Sequence, residues 1–457
     1  MIDRGRARAR LAALPLVAAL LIAPHTALAD AAADDGHWPG FRGARASGVA
    51  ANAAVPTTFD REAGTNIRFD VALPGLGLGA PVVWGERLFL TTAVSATAAE
   101  DGPQSLKVGR YGGPFPATDY EKTYRWQVLC LDAATGAVVW TRTAHEGAPA
   151  VRRHTKASYA NSTPAVDADR VVAFFGSEGL HAYDHAGTKL WSRDFGVLDV
   201  GSHNMPQAQW GFASSPVLHD GKVIVQVDVQ GDSFLAVLDA ATGETIWRTP
   251  RSEVPTWSTP TVITHGGDAP QIVANGWQEI AGYRLTDGKR LWTAPPGGDV
   301  PVPTPVAAPA AGVTVLTSAH GPKKPLYAIR ADGAMAWHLE RKGAYMPTPI
   351  VDDAHLYVLR DTGVLSLYRV ADGEEIYTER VASDAFTASP VLAGGHLFLL
   401  GEYGDIYVVK AGERYAKVAQ LDLEEPVLAS PAVAHDTLYV RTQGHLVAIG
   451  SDAAASN

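Results

Sequence analysis

Cysteine is almost absent from this sequence, since only one of its 457 residues, Cys130, is a cysteine. A single thiol cannot form an intramolecular disulfide, so packing must stabilise the fold even in an oxidising compartment. The shortage also excludes a Cys-x-x-Cys-His haem attachment motif. Cys130 lies in the alternating stretch Gln127–Asp132, where a buried cysteine behaves as a small core hydrophobe.

Common catalytic and metal-binding motifs are also missing. The sequence holds no Gly-x-Ser-x-Gly nucleophile elbow, no His-Glu-x-x-His zinc helix and no glycine-rich phosphate loop. The segment Asp228–Asp232 is a weak match to a calcium-binding loop, and a plain β-turn is the alternative that we favour. His154 and Lys156, two residues apart, are better candidates for an anion-binding pair than for metal ligands.

Positive charge is in short supply. Lysine and arginine number 38 against 48 aspartates and glutamates, and the formal net charge is −10. Removing residues 1–29, with four arginines and one aspartate, would give −10 − 3 = −13. Such an acidic chain disfavours nonspecific binding to nucleic acid or anionic lipid. We therefore expect no nucleic-acid partner.

Long apolar runs are confined to the N-terminus. Four arginines between positions 4 and 10 precede the apolar stretch Leu11–Ile22, and Ala27, Leu28 and Ala29 form a small-x-small cleavage site. We predict a signal peptide at residues 1–29, with an uncleaved anchor as the alternative. No later stretch is long and apolar enough to cross a bilayer, and no cysteine follows the cleavage site to carry a lipid. The mature chain is expected to be periplasmic or secreted, without a transmembrane segment.

A short phrase recurs eight times along the chain: a small or polar residue, a proline, and an apolar run. The intervals between successive prolines of this phrase are 83, 52, 44, 45, 44, 41 and 41 residues. A period of roughly 40–45 residues with strand-like content is typical of the four-stranded blade of a β-propeller. The prolines are Pro81, Pro164, Pro216, Pro260, Pro305, Pro349, Pro390 and Pro431.

The copy at residues 214–247 shows the unit most clearly. Four apolar segments are separated by turns rich in aspartate and glycine, and the glycines supply the positive φ that such turns need. A tryptophan ends this copy at position 247 and recurs at positions 140, 191, 292 and 337. We expect this repeated tryptophan to pack one blade against the next.

The last copy, residues 430–449, contains only three strands. Residues 66–73 have the length and pattern of the missing fourth strand, and their pairing with the last copy would close the ring without a long unpaired edge. We therefore predict an all-β fold, an eight-bladed β-propeller of four-stranded antiparallel blades, present as a monomeric ring. The predicted segments are a signal peptide at 1–29, an N-terminal extension at 30–65, the propeller at 66–450 with an insertion at 94–125, and a disordered tail at 451–457.

The phrase Asp-x-x-Thr-Gly-x-x-x-Trp, best kept at residues 132–140 and 239–247, resembles the repeats of the pyrroloquinoline-quinone-like (PQQ-like) propellers. These repeats occur in the quinoprotein alcohol dehydrogenase-like superfamily and in the propeller subunit of the outer-membrane β-barrel assembly machine. The opening Trp-Pro-Gly-Phe-Arg-Gly at residues 38–43 is similar to secreted bacterial members described as PQQ-binding-like, as are residues 210–216 and 255–260. The resemblance implies either an oxidoreductase or a binding scaffold.

In such a propeller, the connections between blades and the turns between second and third strands lie on one face. In this chain those segments are rich in aromatic, cationic and amide side chains, which a binding site at a channel mouth needs. The alternative to a binding site is that these side chains form a polar rim exposed to solvent. The candidate ligand- or partner-binding residues are His154, Lys156, Tyr159, His203, Asn204, Gln209, Trp210, Trp257, Trp277, His320, Tyr345, Arg360, Asp361 and Arg441.

An enzyme of the PQQ-dependent dehydrogenase type, acting on alcohols or sugars, needs cations for the quinone carboxylates, a Ca²⁺ Lewis acid and a carboxylate base. This face offers Lys156, Arg360 and Arg441 as cations and Glu178, Asp228 and Asp361 as carboxylates. Their spacing singles out no Ca²⁺ site. Relatives resembling methanol dehydrogenase carry adjacent cysteines over the cofactor, which one cysteine cannot provide.

We therefore favour a non-catalytic propeller with no catalytic residues, no metal and no PQQ or calcium cofactor. It is expected to bind a protein partner or a polymer of the cell envelope through loops on one face. The relative in the assembly machine implies partners at the outer membrane, although this chain lacks the lipid-anchor cysteine of that relative. The quinoprotein dehydrogenase is the alternative.

Overall fold

Short antiparallel strands build almost the whole structure. The computed structural model describes residues 1–2, 36–97, 106–109, 120–295 and 297–451. Within them the strands form eight antiparallel blades of four strands each, two of which gain a fifth strand from the N-terminal segment, and this confirms the predicted eight-bladed all-β propeller. No helix in these ranges is both long and apolar enough to cross a membrane. The helices are the single-turn 3₁₀ segments Ala44–Ala46, Gly176–Glu178 and Pro309–Ala311.

Each blade runs from an inner first strand to an outer fourth strand, and each inner strand begins at the residue after a repeat proline. Blades 1 and 2 consist of Val82–Trp84, Arg87–Ser95, Tyr124–Asp132 and Val138–Gly147, then Ala165–Val166, Arg170–Phe174, Leu180–Asp184 and Lys189–Arg193. Blades 3 and 4 consist of Val217–His219, Lys222–Val227, Phe234–Asp239 and Thr245–Pro250, then Thr261–Ile263, Gln271–Ala274, Ile280–Arg284 and Arg290–Ala294. Blades 5 and 6 consist of Val306–Ala308, Val313–Thr317, Leu326–Arg330 and Met335–Leu339, then Ile350–Asp352, His355–Leu359, Val364–Arg369 and Glu375–Arg380. Blade 7 consists of Val391–Ala393, His396–Leu400, Asp405–Lys410 and Lys417–Asp422.

Blade 8 joins the two ends of the propeller. Its first three strands are Ala432–Ala434, Thr437–Arg441 and His445–Ile449, and its outer strand is Ile67–Ala72. This outer strand runs antiparallel to the last strand of the chain, with Asp70 opposite Val447. The predicted closure by an N-terminal strand is therefore confirmed, and it removes the free edge that a three-stranded last blade would expose.

Buried apolar side chains lie between neighbouring blades. Phe174 and Leu180 of blade 2, for example, form one cluster with Val223, Val225 and Ala236 of blade 3. Equivalent clusters join the other neighbouring blades, the largest of them spanning blades 7, 8 and 1. Each blade thus buries its faces against both neighbours, so the hydrophobic stabilisation is distributed around the ring.

The repeated tryptophan, which occurs in the outer strands of blades 1 to 5, contacts the following blade. The Nε1–H of Trp191 in blade 2 donates to the carbonyl of Ala240 in blade 3 at 2.9 Å. A Cβ added to Gly243, in the same turn of blade 3, would lie 2.6 Å from the Trp191 ring. The predicted blade-to-blade role of tryptophan is confirmed, and it explains why an Asp-x-x-Thr-Gly turn accompanies it: only glycine lets the turn approach the indole.

Substitution of Gly243 by alanine tests this contact against a matched glycine of the same blade. Gly243 and Gly221 have φ values of +69° and +68°, but a Cβ at Gly221 would meet nothing within 4 Å. We expect Gly221→Ala to cost about 1–2 kcal/mol through left-handed backbone alone. Gly243→Ala should cost a further ~1–3 kcal/mol because the indole must move. Denaturant unfolding measures both, and equal losses would show that the Trp191 contact is unimportant.

The N-terminal segment crosses the channel and blocks one end of it. His37 and Trp38 pair with Trp84 and Val83 on the free side of the inner strand of blade 1, which is the channel side. Residues 49–50 run parallel to the inner strand of blade 7. We call residues 36–50 the plug. It lies at the end of the channel where first strands turn into second strands, opposite the connections between blades.

Arg42 fastens the plug to the propeller. It is fully buried, and its five guanidinium N–H groups are satisfied by five backbone carbonyls. Because none of its hydrogen-bond partners is a carboxylate, burial lowers the pKa of Arg42 to about 9. The acceptors are the carbonyls of Ala46, Ser47, Thr348, Pro349 and Pro390, at 2.7–3.2 Å.

Some sequence predictions concern residues outside the ranges that the structure describes. Apart from residues 1–2 and 451, the predicted signal peptide and tail lie outside the described residues, as do positions 98–105 and 110–119 of the predicted insertion. These stay predictions. Of the described residues in the predicted insertion, 94–95 and 124–125 belong to the second and third strands of blade 1, and 106–109 lie over the channel mouth and contribute to the site below.

Candidate functional site

A cavity of about 780 Å³ fills the channel above the plug. Phe41 of the plug lies at its closed end, next to the anchored Arg42. The other lining residues come mainly from the connections between blades and from the turns between second and third strands. The cavity is therefore closed at the plug and open on the face where the sequence predicted a site.

Hydroxyl groups surround the cavity, and they explain the residue before six of the eight repeat prolines, the exceptions being Ala80 and Thr304. At this position the hydroxyl of one blade accepts the backbone N–H of the same position in the preceding blade, as Ser389 does from Thr348 at 3.0 Å. Thr304 departs from the pattern, because its Oγ1 has no partner among the described residues. We define the hydroxyl ring as Thr163, Ser215, Thr259, Thr348, Ser389 and Ser430, whose accepted bonds are 2.9–3.1 Å long.

Aromatic side chains form one wall of the cavity. The rings of Trp210 and Trp257 lie 5.2 Å apart at 36°, and His154 meets Trp210 edge-on at 6.2 Å. His320 lies 5.0 Å from Tyr345, and desolvation within the cavity raises the pKa of Tyr345. Trp257 donates its Nε1–H to the carbonyl of Gly211, whereas the buried Nε1–H of Trp210 has no acceptor in the part of the chain that the structure describes. The wall thus offers flat apolar faces and one unsatisfied donor.

A buried ion pair ties the insertion to the opposite side of the mouth. Glu402 of blade 7 is 2% exposed, and Lys156, from the connection between blades 1 and 2, reaches it at 2.7 Å. Glu402 also accepts the hydroxyl of Thr387 and the backbone N–H of Gly109, while Lys156 donates to the Gly109 carbonyl. This network holds the described part of the insertion across the mouth, so the charge of Lys156 is neutralised there.

A two-stranded ribbon overhangs the mouth from the connection between blades 2 and 3. Its strands are Gly201–Ser202 and Met205–Gln209, and Asn204 and Met205 line the cavity. His203 stacks on Trp277 of blade 4 with ring centroids 4.3 Å apart, which anchors the ribbon outside the cavity.

A family model described as outer membrane protein assembly factor BamB matches residues 40–193, 125–379 and 322–455, which together span most of the chain. The chain belongs to this family. One curated relative, the outer membrane protein assembly factor BamB of Alkalilimnicola ehrlichii, is 26% identical over 210 residues, which cover 44% of this chain and 52% of the relative. The match therefore spans about half the length of that curated relative.

Solved structures share the fold of this BamB-family chain. BamB from Moraxella catarrhalis has a TM-score of 0.54 at 14% identity, covering 78% of this chain and 98% of that one. A europium-containing methanol dehydrogenase has a TM-score of 0.63 at 12% identity, covering 90% and 91%. A quinohemoprotein alcohol dehydrogenase from Comamonas testosteroni has a TM-score of 0.57 at 13% identity, covering 93% and 82%. At these identities the likeness shows a fold that assembly factors and dehydrogenases have in common.

Eight of the fourteen residues predicted for the site of this BamB-family chain line the cavity, and six do not. Those that the structure brings together are His154, Lys156, Asn204, Trp210, Trp257, His320, Tyr345 and Asp361. Those that lie elsewhere are Tyr159, His203, Gln209, Trp277, Arg360 and Arg441.

The six residues outside the cavity have local contacts of their own. Tyr159 packs against Tyr124 between blades 1 and 2, with ring centroids 4.9 Å apart. The side chain of Gln209 accepts the backbone N–H of Arg152. His203 and Trp277 stack on each other. The backbone of Arg360 closes a turn of blade 6. The sixth residue is Arg441.

Arg441 serves the joint between blades 8 and 1. It is 2% exposed, and its guanidinium donates to the carbonyls of Gly79 and Thr91. Burial lowers its pKa to about 9. Arg441 does not line the cavity, and its bonds place it in the contact between blades 8 and 1.

Asp228 is also enclosed within the fold. It accepts from Arg251 at 2.7 Å, and both side chains are 0% exposed. Burial alone would lower the pKa of Arg251, but the attraction of Asp228 outweighs it and raises that pKa. The carboxylate also accepts the side chains of Gln226 and Thr256. Neither a calcium loop at Asp228–Asp232 nor a catalytic role for Asp228 is compatible with these bonds.

Two of the cations considered from sequence for the carboxylates of PQQ have partners within the protein. The quinone needs cations for its carboxylates, but Arg441 is enclosed and Lys156 is neutralised by Glu402. Within the described ranges no group of three or more His, Cys, Asp or Glu residues could hold a metal ion. Glu178, a third carboxylate considered from sequence, accepts the backbone N–H of Ala150 outside the cavity, and desolvation raises its pKa to about 7.

Sequence reasoning missed three contributors to the site. Phe41 lies within the Trp-Pro-Gly-Phe-Arg-Gly run, which pointed to the family but not to the channel. The hydroxyl ring could have been found from the serine or threonine that precedes seven of the eight repeat prolines, since this periodicity was the available signal. Lys324 lines the cavity from the turn between the second and third strands of blade 5, and nothing in its sequence neighbourhood set it apart.

Proposed function

We propose that this protein is a non-catalytic binding propeller of the bacterial cell envelope, which takes part in outer-membrane protein assembly by contacting a protein partner through the loops around the cavity mouth. The observation that carries the proposal is where the polar and charged side chains of the propeller lie. Aromatic and polar side chains face the mouth, whereas the buried carboxylates of Asp228 and Glu402 are each paired with a cation of the protein. Binding is therefore favoured over acid–base chemistry.

Family membership supports the assembly role, since the matching family and the curated relative are both described as outer membrane protein assembly factors. A periplasmic location follows from this role and agrees with the signal peptide expected at residues 1–29. The quinoprotein alternative is supported by the shared fold, and the cation and metal-ligand requirements of its cofactor argue against it.

Photo-crosslinking in cells tests this proposal. A photoreactive amino acid at Asn204 places the probe on the ribbon at the cavity mouth, and one at Ile246 places it on the exposed outer strand of blade 3. We expect adducts from Asn204 to contain proteins of the outer-membrane assembly machinery, identified by mass spectrometry, and adducts from Ile246 to lack them. If Asn204 yields no such adduct, or both positions yield the same set, the mouth is not the partner-binding surface.

A further inference from the structure

The hydroxyl ring presents a circle of O–H donors to the cavity. Its side chains are only 1–7% exposed, yet all six line the cavity. Each hydroxyl oxygen already accepts a backbone N–H from the preceding blade. The O–H groups themselves donate to nothing within residues 36–97, 106–109, 120–295 and 297–451. A ligand in the cavity therefore meets buried donors that the fold has left without acceptors.

The aromatic wall adds a flat surface beside this ring. Trp210 and Trp257 together offer two indole faces, and the Nε1–H of Trp210 is a further buried donor without an acceptor in the described residues. Flat apolar faces bordered by hydrogen-bond donors suit a ligand with apolar C–H faces and many edge oxygens. A pyranose ring has this distribution of groups.

The charges around the cavity nearly cancel. Lys156 and Lys324 are the lining lysines, Asp361 is a lining carboxylate, and Glu402 neutralises Lys156. The buried guanidinium groups of Arg42 and Arg441 donate to backbone carbonyls. An anionic ligand would find no net positive field, so a neutral ligand is favoured.

We infer that the cavity binds the end of a short neutral oligosaccharide. This activity goes beyond the proposed role in outer-membrane protein assembly, which concerns protein contacts at the mouth. One sugar ring stacks on the Trp210 and Trp257 wall, and sugar oxygens accept from the hydroxyl ring. The volume of about 780 Å³ lies within the roughly 300–1,000 Å³ range of small-molecule sites.

The plug restricts the ligand to a chain end. Phe41 closes the cavity, and Arg42 behind it is fastened to the inner strands of blades 6 and 7. A long polymer cannot pass through the channel, so only a terminal segment can enter. A peptide segment is the competing occupant, but it offers one backbone carbonyl per residue, whereas each pyranose carries several oxygens that can accept from the O–H and indole donors of the cavity. The acceptor-rich sugar satisfies these donors better.

Isothermal titration calorimetry of the full mature chain tests the inference. The probes are maltotriose, which is a plain glucan, and N,N′,N″-triacetylchitotriose, which carries acetamido groups; the neutral tripeptide Gly-Trp-Gly is the comparator. We expect at least one trisaccharide to bind and the tripeptide to show no measurable heat. Which trisaccharide binds more tightly distinguishes an N-acetylated cell-wall type of glycan from a plain glucan.

Matched variants locate the binding. Trp210→Ala should weaken trisaccharide binding about tenfold or more, because it removes a stacking face. Trp337→Ala removes a half-buried tryptophan of the outer strand of blade 5, away from the cavity, and should change the affinity less than about twofold. Ser389→Ala should weaken binding more than Thr304→Val, since Thr304 holds the equivalent position but does not line the cavity.

Folding of each variant is checked by its melting temperature, and Trp210→Phe provides a second variant that keeps a ring at the wall. No heat with either trisaccharide, tighter binding of the tripeptide, or equal effects of Trp210→Ala and Trp337→Ala on trisaccharide affinity would each overturn the inference. None of these outcomes concerns the crosslinking of protein partners at Asn204, so the two proposals fail separately.

Discussion

Replacing Arg42 with alanine is expected to lower the free energy of unfolding by about 3–5 kcal/mol, because buried hydrogen bonds from a charged group are lost together. Five backbone carbonyls lose their donor at once, and three of them belong to blades 6 and 7 more than 300 residues away in sequence. Water cannot easily replace the guanidinium, since the side chain is 0% exposed. Denaturant unfolding measures the loss.

Two further variants distinguish the effect of the five Arg42 hydrogen bonds from the effect of its positive charge. Arg42→Lys should not restore stability, because an ammonium group has three donors where the site uses five. Arg45→Ala, three residues along the plug at an exposed position, should cost less than about 0.5 kcal/mol. Hydrogen exchange in residues 36–50 should accelerate in Arg42→Ala alone. A loss below about 1 kcal/mol for Arg42→Ala would mean that the plug is held by other contacts.

Asp228→Asn is expected to lower the free energy of unfolding by about 3–5 kcal/mol, because it leaves the guanidinium of Arg251 buried without its main counter-charge. The new amide also places a donor beside the Nε2–H of Gln226 or the hydroxyl of Thr256, both of which now donate to Asp228. Glu253 lies 3.9 Å from Arg251 and compensates only in part. The free energy of unfolding is the measured quantity.

An exposed aspartate of the same turn is the control. Asp232→Asn should change stability by less than about 0.5 kcal/mol, since Asp232 faces solvent. The double variant Asp228→Leu with Arg251→Met should recover most of the loss, as apolar replacement of a whole buried pair often does. If Asp228→Asn folds as stably as Asp232→Asn, the buried pair has no structural role and the argument against a calcium loop weakens.

The fold was predictable because its signals are local and periodic. Each repeat proline precedes an inner strand, and each Asp-x-x-Thr-Gly turn ends near the tryptophan that meets the next blade. These features depend on backbone φ values and on one large side chain per repeat, which neighbouring residues specify. Closure by residues 67–72 also followed from a count of strands, since the last copy was one strand short.

The candidate site was only partly predictable, because its decisive contacts are distant in sequence. Arg42 bonds to residues more than 300 positions away, and Lys156 pairs with Glu402 across 246 positions. From sequence, a polar side chain in a loop looks the same whether it faces solvent or an enclosed partner. Arg441 and Asp228, which the sequence suggested for the open face, therefore lie in buried contacts. Trp210 and Trp257 do line the cavity, as their position in the connections between blades suggested.

The central claim, a propeller that binds without catalysis, is tested most directly by one cofactor experiment. Purified mature chain is incubated with PQQ and Ca²⁺, and dye-linked oxidation of methanol, ethanol and glucose is followed together with the melting temperature. The account predicts no dye reduction above the protein-free rate and no rise in melting temperature. Sustained turnover accompanied by a clear melting shift would contradict it.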